Sequence, residues 1–409
     1  MTSSPAYLKF YFGKVIAMLQ NRSFNSCLPT NVRFGLDVVK NELAHEIRLA
    51  NKSRVFIATD EGLVKAGLIK TITANLIENE IESVIFSEVE PNPQVETIMR
   101  GAAQYTQKSC DMILAIGGGS AMDFAKAVGV AVTHSGHILD YRRGEKPITH
   151  PIPLLFAIPT TVGTGSEVTA VAIVTDPEVG RKYAVSSPYL IPKIAFIDPL
   201  MTVTLPKHHV SATALDALVH AIEAYTVVRA APISDGLALQ AIRMIREYLP
   251  ASYSHPDNLE ARAQIQLAST MAGMAFSLVG LGLVHSCSHP MSAVYHVPHG
   301  VANAILLPYV IQHNLISNIK KYADIARIFQ PELVLKNDQT AADELVGLLE
   351  SFIASVDIPK DFSYLGIEVT DKVIDRLAND AMADGTIPSN PRKVYKEDVV
   401  KIYNQVLPR

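Results

Sequence analysis

Residues 111–126 read DMILAIGGGSAMDFAK. The first six residues predict a short apolar strand, residues 117–120 a tight turn, and the residues from Ala121 onward the start of a helix. A helix that begins at glycines offers free backbone N–H groups to an anion, and glycine lets a pyrophosphate approach closely. The stretch therefore predicts a β-turn-α unit of a nucleotide-binding sheet. GGGS lacks the full G-x-G-x-x-G spacing, however, and glycine turns also serve structure alone.

Two further apolar runs extend this unit. Arg54–Ala58 predicts an earlier buried strand that ends at Thr59 and Asp60. A carboxylate at such a strand end can accept hydrogen bonds from an adenosine ribose, and its charge favours NAD over NADP. Residues 154–158 predict another strand. The loop PTTVGTGSE that follows offers hydroxyls and glycines for phosphates and nicotinamide, or forms an ordinary polar loop.

The periodicity of the chain changes after Leu205 and Pro206. Before this point, apolar runs alternate with helical stretches, which indicates a parallel-rich α/β sheet with helices on both faces. The expected strands are residues 54–58, 84–86, 112–116, 154–158, 170–175 and 195–197. Beyond it the pattern is helical, and the expected helices are residues 212–224, 233–248, 259–276 and 301–314. We predict an α/β dinucleotide-binding domain over residues 1–205, with an N-terminal extension at 1–27, and an all-helical metal-binding domain over residues 206–409.

The second half carries a cluster of residues that ligate metals. Asp216 and His220 are spaced i, i+4 in LDALVHAIEAY, so both side chains leave one face of a helix. His285 and His289 repeat this spacing, and His299 follows a proline break. One carboxylate and three imidazoles suit Fe(II), Zn(II), Mn(II) or Co(II) without a thiolate. A single such pair is more often a surface contact, but these histidines cluster in an apolar stretch where unpartnered imidazoles are costly.

Composition excludes several classes of protein. The net charge over 409 residues is 36 − 40 = −4, so there is no basic field for nucleic acid and no polybasic membrane patch. No apolar stretch is long enough to span a bilayer. Cys27, Cys110 and Cys287 are odd in number and widely spaced, which argues for a reducing compartment. We expect a cytoplasmic protein.

Four motifs, in order, resemble the iron-containing (group III) alcohol dehydrogenases. They are GGGSAMDFAKAV, PTTVGTGSEVT, ALDALVHAIEAY and GLGLVHSCSHPMSAVYHVPHGVANAILLP. The resemblance extends from about Leu28 to the C-terminus and includes LPTNVRFG and NPRKVYKEDVVKIY. It implies a dehydroquinate synthase-like architecture, in which a Rossmann-like, parallel-rich sheet precedes an all-helical domain.

The resemblance also implies which residues form the site. Asp216, His220, His285 and His299 would hold the metal, and His289 would lie near substrate and nicotinamide and help to relay the alcohol proton. Asp60 matches the position associated with NAD preference. The other positions expected to contact the cofactor are Gly117, Gly118, Gly119, Ser120, Asp123, Thr160, Thr161, Thr164, Ser166, Lys182 and Thr202.

The implied activity is hydride transfer between C4 of NAD(H) and a small primary alcohol or aldehyde, with the metal polarising the substrate oxygen. Fe(2+) is the expected metal, and Zn(2+) or Mn(2+) are the alternatives. Substrates with a neutral or an anionic tail are both compatible with this machinery. The resemblance implies a homodimer or larger homo-oligomer, and neither a nucleic acid nor a membrane is expected as a partner.

Other activities share parts of this pattern. A glycerol dehydrogenase-like polyol oxidoreductase has the same architecture, as does a dehydroquinate synthase-like lyase, although the lyase needs a Lys and Arg cluster that the metal segment lacks. A maleylacetate reductase-like enzyme would dispense with the metal. A non-catalytic protein that binds NAD and metal would have no reason to keep His289. His296 either lines the substrate pocket or faces solvent.

Overall fold

The structure, a computed structural model, describes residue 24 and residues 26–178 and 181–407. The predicted N-terminal extension, residues 1–27, lies almost entirely outside these residues. The first half of the described chain alternates strands and helices. Its elements are β1 Asn31–Phe34, α1 Val38–Leu49, β2 Arg54–Ala58, α2 Glu61–Lys65, α3 Leu68–Glu78, β3 Glu82–Phe86, α4 Val95–Gln107, β4 Met112–Gly117, α5 Gly119–Thr133, β5 Leu154–Pro159, β6 Val171–Asp176, β7 Arg181–Ser186 and β8 Ile194–Ile197.

Six of these strands form one parallel sheet in the order β1-β8-β5-β4-β2-β3, which confirms the predicted sheet type. The strand expected at residues 170–175 is not part of it. That segment is β6, which pairs antiparallel with β7 in a separate two-stranded sheet. The burial patterns give the reason: every residue of β4 is buried, whereas burial along β6 alternates, as it does when only one face of a strand is covered.

The large sheet has a hydrophobic core on each face. Successive side chains of a strand point to opposite faces. In β2, Val55 and Ile57 therefore pack with residues of α1 and α3, while Phe56 and Ala58 pack with residues of α4 and α5. The carboxyl ends of β2, β4 and β5 lie side by side in this arrangement, and this edge is where ligands bind in open α/β sheets.

The second half of the described chain is helical, and no strand follows β8 there. Its helices are α6 Lys207–Thr226, α7 Pro232–Ser254, α8 Leu259–Val279, α9 Leu283–Tyr295, α10 His299–Asn314, α11 Ile319–Phe329, α12 Asp338–Ala354, α13 Asp371–Met382 and α14 Lys396–Val406. The change from alternating to helical structure falls between Thr202 and Lys207, close to the predicted boundary at residue 205. The division into two domains itself stays a prediction.

Helix α6 lies at the centre of the helical half. From Val210 to Thr226 nearly every residue is buried, because Ala, Leu, Val and Ile occur around the whole circumference rather than on one stripe. Within the described residues, no single helix is long and apolar enough to cross a membrane, and only α8 and α9 together, bent by 107°, meet that measure.

Candidate functional site

The structure brings the four expected metal ligands to one place. Asp216 Oδ1 lies 3.9 Å from His220 Nε2, 4.0 Å from His285 Nε2 and 3.7 Å from His299 Nε2. Two atoms that bind one ion tetrahedrally at about 2.1 Å are roughly 3.4 Å apart, so a modest contraction would let this set share an ion. The first three residues are buried, whereas 37% of the His299 side chain is exposed. The cluster is therefore accessible to solvent on the His299 side.

Hydrogen bonds at the far side of two imidazoles fix which nitrogen faces the cluster. Nδ1 of His285 lies 2.6 Å from a carboxylate oxygen of Glu223, and Nδ1 of His220 lies 3.2 Å from the carbonyl oxygen of Gly163. Both oxygens are acceptors, so each Nδ1 carries the proton and each Nε2 keeps a free lone pair. Burial lowers the pKa of His285 well below its ordinary value, which keeps this imidazole neutral and able to ligate.

Asn303 shows that acceptor atoms of Asp216, His285 and His299 converge on one point. Its Nδ2 lies 2.6 Å from Asp216 Oδ1, 3.2 Å from His285 Nε2 and 3.1 Å from His299 Nε2. One amide group has two hydrogens for these three acceptors. Its own buried Oδ1 has no hydrogen-bond partner among the described residues. A set of acceptors with too few donors and a net negative charge fits a divalent cation.

His289 lies beside the cluster and is turned differently. Its Nδ1 is 2.7 Å from Asp384 Oδ2, its ring centre is 5.4 Å from that of His299, and 41% of its side chain is exposed. Burial acts to raise the pKa of Asp384, but the hydrogen bond and charge of His289 and two bonds from Thr386 outweigh it and hold the pKa well below the ordinary value. The Asp384 carboxylate is ionised, so Nδ1 of His289 donates to it and Nε2 keeps its lone pair.

The expected nucleotide turn lies where β4 ends and α5 begins. Gly118 is the N-cap residue of α5, and Gly119 and Ser120 form its first turn, so their N–H groups are free for an anion. A Cβ on Gly119 would lie 2.8 Å from the Thr164 side chain. Glycine is therefore required here if the loop that carries Thr164 is to pack against the turn.

That loop, residues 160–169, is named here the Thr-Gly loop. It starts with a hydrogen bond from the Thr160 N–H to the Gly117 carbonyl oxygen at 3.0 Å. The side chain of Thr161 lies next to Gly118, and both Thr161 and Thr164 are partly exposed. Their hydroxyls are thus placed beside the turn, on the side where a bound nucleotide would lie.

Asp60 also borders the turn. Its Oδ1 caps α2 by accepting from the Leu63 N–H at 3.0 Å. Its Oδ2 is the atom on the side of the turn, since a Cβ on Gly117 would lie 3.7 Å from it. One oxygen is thus used for capping and the other faces the end of β4.

Three expected cofactor residues have their polar atoms engaged inside the protein. Ser166 Oγ donates to Asp123 Oδ1 at 2.8 Å, and Asp123 Oδ2 accepts from the Ile173 N–H at 3.0 Å. Thr202 is fully buried, and its hydroxyl donates to the Pro199 carbonyl oxygen at 2.8 Å. A contact of Asp123, Ser166 or Thr202 with the cofactor stays a prediction, and their visible role is to shape the surrounding loops.

Lys182 reaches the turn through a residue that the sequence did not single out. Its Nζ donates to Asn92 Oδ1 at 2.6 Å, and the Asn92 N–H donates to Ser120 Oγ at 3.3 Å. His296 is exposed and adopts φ 56° at the end of α9, where the chain turns toward α10, and a role for it in the substrate pocket stays a prediction. The ring of Phe276 packs 4.4 Å from that of His220, next to the metal cluster.

Comparison with known proteins gives matches over almost the whole chain. Residues 29–199 match the family described as iron-containing alcohol dehydrogenase, and residues 210–407 match the C-terminal part of the Fe-containing alcohol dehydrogenase family. A 1,3-propanediol dehydrogenase of Klebsiella pneumoniae is 36% identical over 386 residues, which cover 94% of this chain and 99% of that protein. An NAD-dependent methanol dehydrogenase of Bacillus methanolicus is 34% identical over 94% of this chain and 100% of that protein.

Solved structures agree with this. The crystal structure of a 1,3-propanediol oxidoreductase superposes with a TM-score of 0.91 at 35% sequence identity, covering 94% of this chain and 100% of that one. Fold and sequence similarity thus extend over both halves of the chain.

Proposed function

This chain belongs to the iron-containing alcohol dehydrogenase family, and from this premise we propose that it is an NAD-dependent enzyme that interconverts a small primary alcohol and its aldehyde. The observation that carries the proposal is the convergence of Asp216, His220, His285 and His299 on one point, with the His289 imidazole stacked beside His299. The Thr-Gly loop contacts both the nucleotide turn, through Thr160, and the metal cluster, through Gly163 and His220.

The metal and the nicotinamide would act on the substrate directly, and groups of the protein orient the metal ligands and transfer the proton. Asp216, His220, His285 and His299 would hold a divalent cation that would polarise the substrate oxygen, and a bound nicotinamide would exchange hydride with the carbon that bears this oxygen. Glu223 and Gly163 hold two of the ligating imidazoles in the required tautomer. His289, with Nδ1 held by Asp384, has Nε2 available to take up the proton of the alcohol or return it to the product.

The free N–H groups at the start of α5 and the hydroxyls of Thr161 and Thr164 would bind the cofactor phosphates. Asp60, with one oxygen left over from capping α2, would accept from the adenosine ribose and disfavour a 2′-phosphate. These assignments support NAD rather than NADP. The relatives support a short substrate, because the activities in their names concern 1,3-propanediol and methanol.

We also propose that the metal is Fe(2+), on the strength of the family, although this ligand set accepts Zn(2+) or Mn(2+) as well. A homodimer or larger homo-oligomer is proposed on the same basis. Cytoplasmic location is supported by the cysteines, since Cys27, Cys110 and Cys287 are all free.

The test is NADH oxidation against a panel of short neutral and anionic aldehydes, comparing protein reconstituted anaerobically with Fe(2+) to protein treated with EDTA. Turnover that depends on the metal is expected, and the panel ranks the substrates. Metal and NADH binding without turnover of any aldehyde would favour a non-catalytic protein.

The same assay separates the ligands from His289. His285→Ala should abolish metal binding and activity and leave NADH affinity equal to that of the metal-free wild type. His289→Ala should keep the metal and lower turnover by about 100-fold or more, the usual contribution of a positioned acid or base. Full metal occupancy in His285→Ala would contradict the assignment.

A further inference from the structure

Lys126 is a buried lysine for which the proposed reaction has no use. It lies on α5 and is inaccessible to solvent. Its Nζ donates to Ser166 Oγ at 2.7 Å, to Thr169 Oγ1 at 3.2 Å and to the Val171 carbonyl oxygen at 2.9 Å. An ammonium group has three hydrogens, and these three acceptors use them all. Lys126 therefore fastens the C-terminal end of the Thr-Gly loop to the helix that begins at the nucleotide turn.

Two buried carboxylates balance this charge and are tied to the same loop. Asp123 accepts from Ser166 Oγ, and Glu167 accepts from Thr270 Oγ1 of α8 at 2.8 Å. Both act electrostatically on the lysine. An ammonium group buried without such partners would be very costly, so a network of this kind persists only as a unit.

The loop that Lys126 holds also touches the metal cluster. Its first residue is bonded to the end of β4 at the nucleotide turn, through Thr160 and Gly117. Three residues later, the Gly163 carbonyl oxygen contacts Nδ1 of His220, a proposed metal ligand. One short loop thus contacts both sites.

The loop packs closely against α6 and α8 at two glycines. A Cβ on Gly163 would lie 2.5 Å from the Thr213 carbonyl oxygen of α6. Gly165 has φ 61° and lies against Gly273 of α8, where a Cβ would approach the Gly273 Cα to 2.5 Å. Because packing is this close, a displacement of the loop at the nucleotide turn moves the groups against His220 as well.

We propose that Lys126 is a positioning residue that holds the Thr-Gly loop in one path, and that through this loop the nucleotide and metal sites raise each other's affinity. The inference rests on the proposed function, since it requires both sites to bind. Thermodynamic linkage requires that the two effects are equal: the factor by which metal strengthens NADH binding is the factor by which NADH strengthens metal binding. We call this the coupling factor.

The first experiment uses the wild-type protein and Zn(2+) as the probe metal. NADH affinity is measured by fluorescence titration with and without zinc, and zinc affinity by competition with a chromophoric chelator with and without NADH. We expect both affinities to rise by the same factor, at least about fivefold. Binding of both ligands with no mutual effect overturns the inference and leaves the proposed function intact, whereas failure to bind either ligand would sink the proposed function itself.

The second experiment changes the lysine. In Lys126→Met, zinc affinity measured without nucleotide should fall at least about fivefold and the coupling factor should fall toward 1. A lysine that only filled space or only served the cofactor would leave nucleotide-free zinc affinity unchanged, and that result overturns the inference. Lys70→Met, at an exposed position on α3, is the matched control and should change neither quantity.

If Lys126→Met does not fold, the same proposal is tested with Thr169→Val. This substitution conserves the side-chain shape and removes one of the three acceptors of Lys126. It should lower nucleotide-free zinc affinity and the coupling factor in the same direction by a smaller factor. Unchanged values in a folded Thr169→Val protein count against the inference.

Discussion

Asp384 and His289, 95 residues apart in sequence, form a hydrogen bond of 2.7 Å between Oδ2 and Nδ1. The other carboxylate oxygen accepts from both the N–H and the hydroxyl of Thr386, at 2.8 and 2.7 Å. The carboxylate is therefore held rigidly and in turn fixes the imidazole. This hydrogen bond fixes the tautomer and orientation of His289, as the proposed proton relay requires, and Asp384 lies in a turn after α13 that no sequence motif marks.

Asp384→Asn should lower kcat by about tenfold or more while metal content and NADH affinity stay unchanged. The amide retains the shape and one acceptor, but it loses the negative charge that holds His289 in its orientation. Steady-state kinetics and metal analysis of the same preparation measure this. Asp380→Asn, on the exposed face of α13, is the control. A kcat equal to that of wild type would show that Asp384 only stabilises the turn.

Glu223→Gln should weaken metal binding by about 10 to 100-fold, the usual effect of removing a group that orients a ligand. One carboxylate oxygen accepts from the Val284 N–H, and the other accepts from the Gly282 N–H and from His285. An amide would direct its NH2 at one of these donors and tilt the imidazole. Chelator competition measures the loss.

The control for this change is Glu260→Gln, at an exposed position in the first turn of α8. NADH affinity of the metal-free Glu223→Gln protein should match that of metal-free wild type. Unaltered zinc affinity would mean that Glu223 only caps the start of α9.

The parts of this molecule that could be predicted from sequence are those set by local periodicity. Asp216 and His220 share a face of α6 because they are four residues apart, and the apolar runs at β2, β4 and β5 are typical of a parallel sheet covered on both faces, as the structure shows. The prediction that places β6 in the parallel sheet was wrong, because a short apolar run does not reveal which strand it pairs with.

The residues that support the ligands were missed for a different reason. Glu223 and Asn303 could have been recognised from the sequence. Glu223 lies three residues after His220 and Asn303 lies four residues after His299, each as a polar residue in an otherwise apolar helix. Asp384 could not have been recognised, because its partner is brought near only by packing of α13 against α9. Tertiary contacts between distant segments are invisible to periodicity.

Asp60→Ser should relax the expected preference for NADH. Serine can still cap α2 by accepting from the Leu63 N–H, so the local backbone is kept, while the charge beside the nucleotide turn is removed. We expect KM for NADPH to fall by about tenfold, equivalent to 1.4 kcal/mol, and KM for NADH to rise. Glu61→Gln, the exposed neighbour paired with Lys65, is the control. Unchanged selectivity would place the ribose away from Asp60.

Lys126 also predicts a specific dependence of stability on pH. Burial lowers its pKa from 10.5 to about 8, against the opposing effect of Asp123 and Glu167. Between these two values the unfolded chain binds more protons at this position than the native protein does. The free energy of unfolding therefore gains a component that rises with pH, by up to about 1.4 kcal/mol per pH unit, and the cost of burying the charge is complete below the native pKa.

Comparison of Lys126→Met with wild type isolates this component, because the other titrating groups are common to both. Urea unfolding is measured at about pH 7.5, 9 and 10.5. From the lowest to the highest pH, the free energy of unfolding of the wild type should rise by up to about 3 kcal/mol relative to that of the variant. The lysine-to-methionine control at exposed Lys70 should run parallel to wild type. If the free energy of unfolding of Lys126→Met also ran parallel to that of wild type, Lys126 would have its ordinary pKa. Its three hydrogen bonds and the two carboxylates would then offset the whole effect of burial on that pKa.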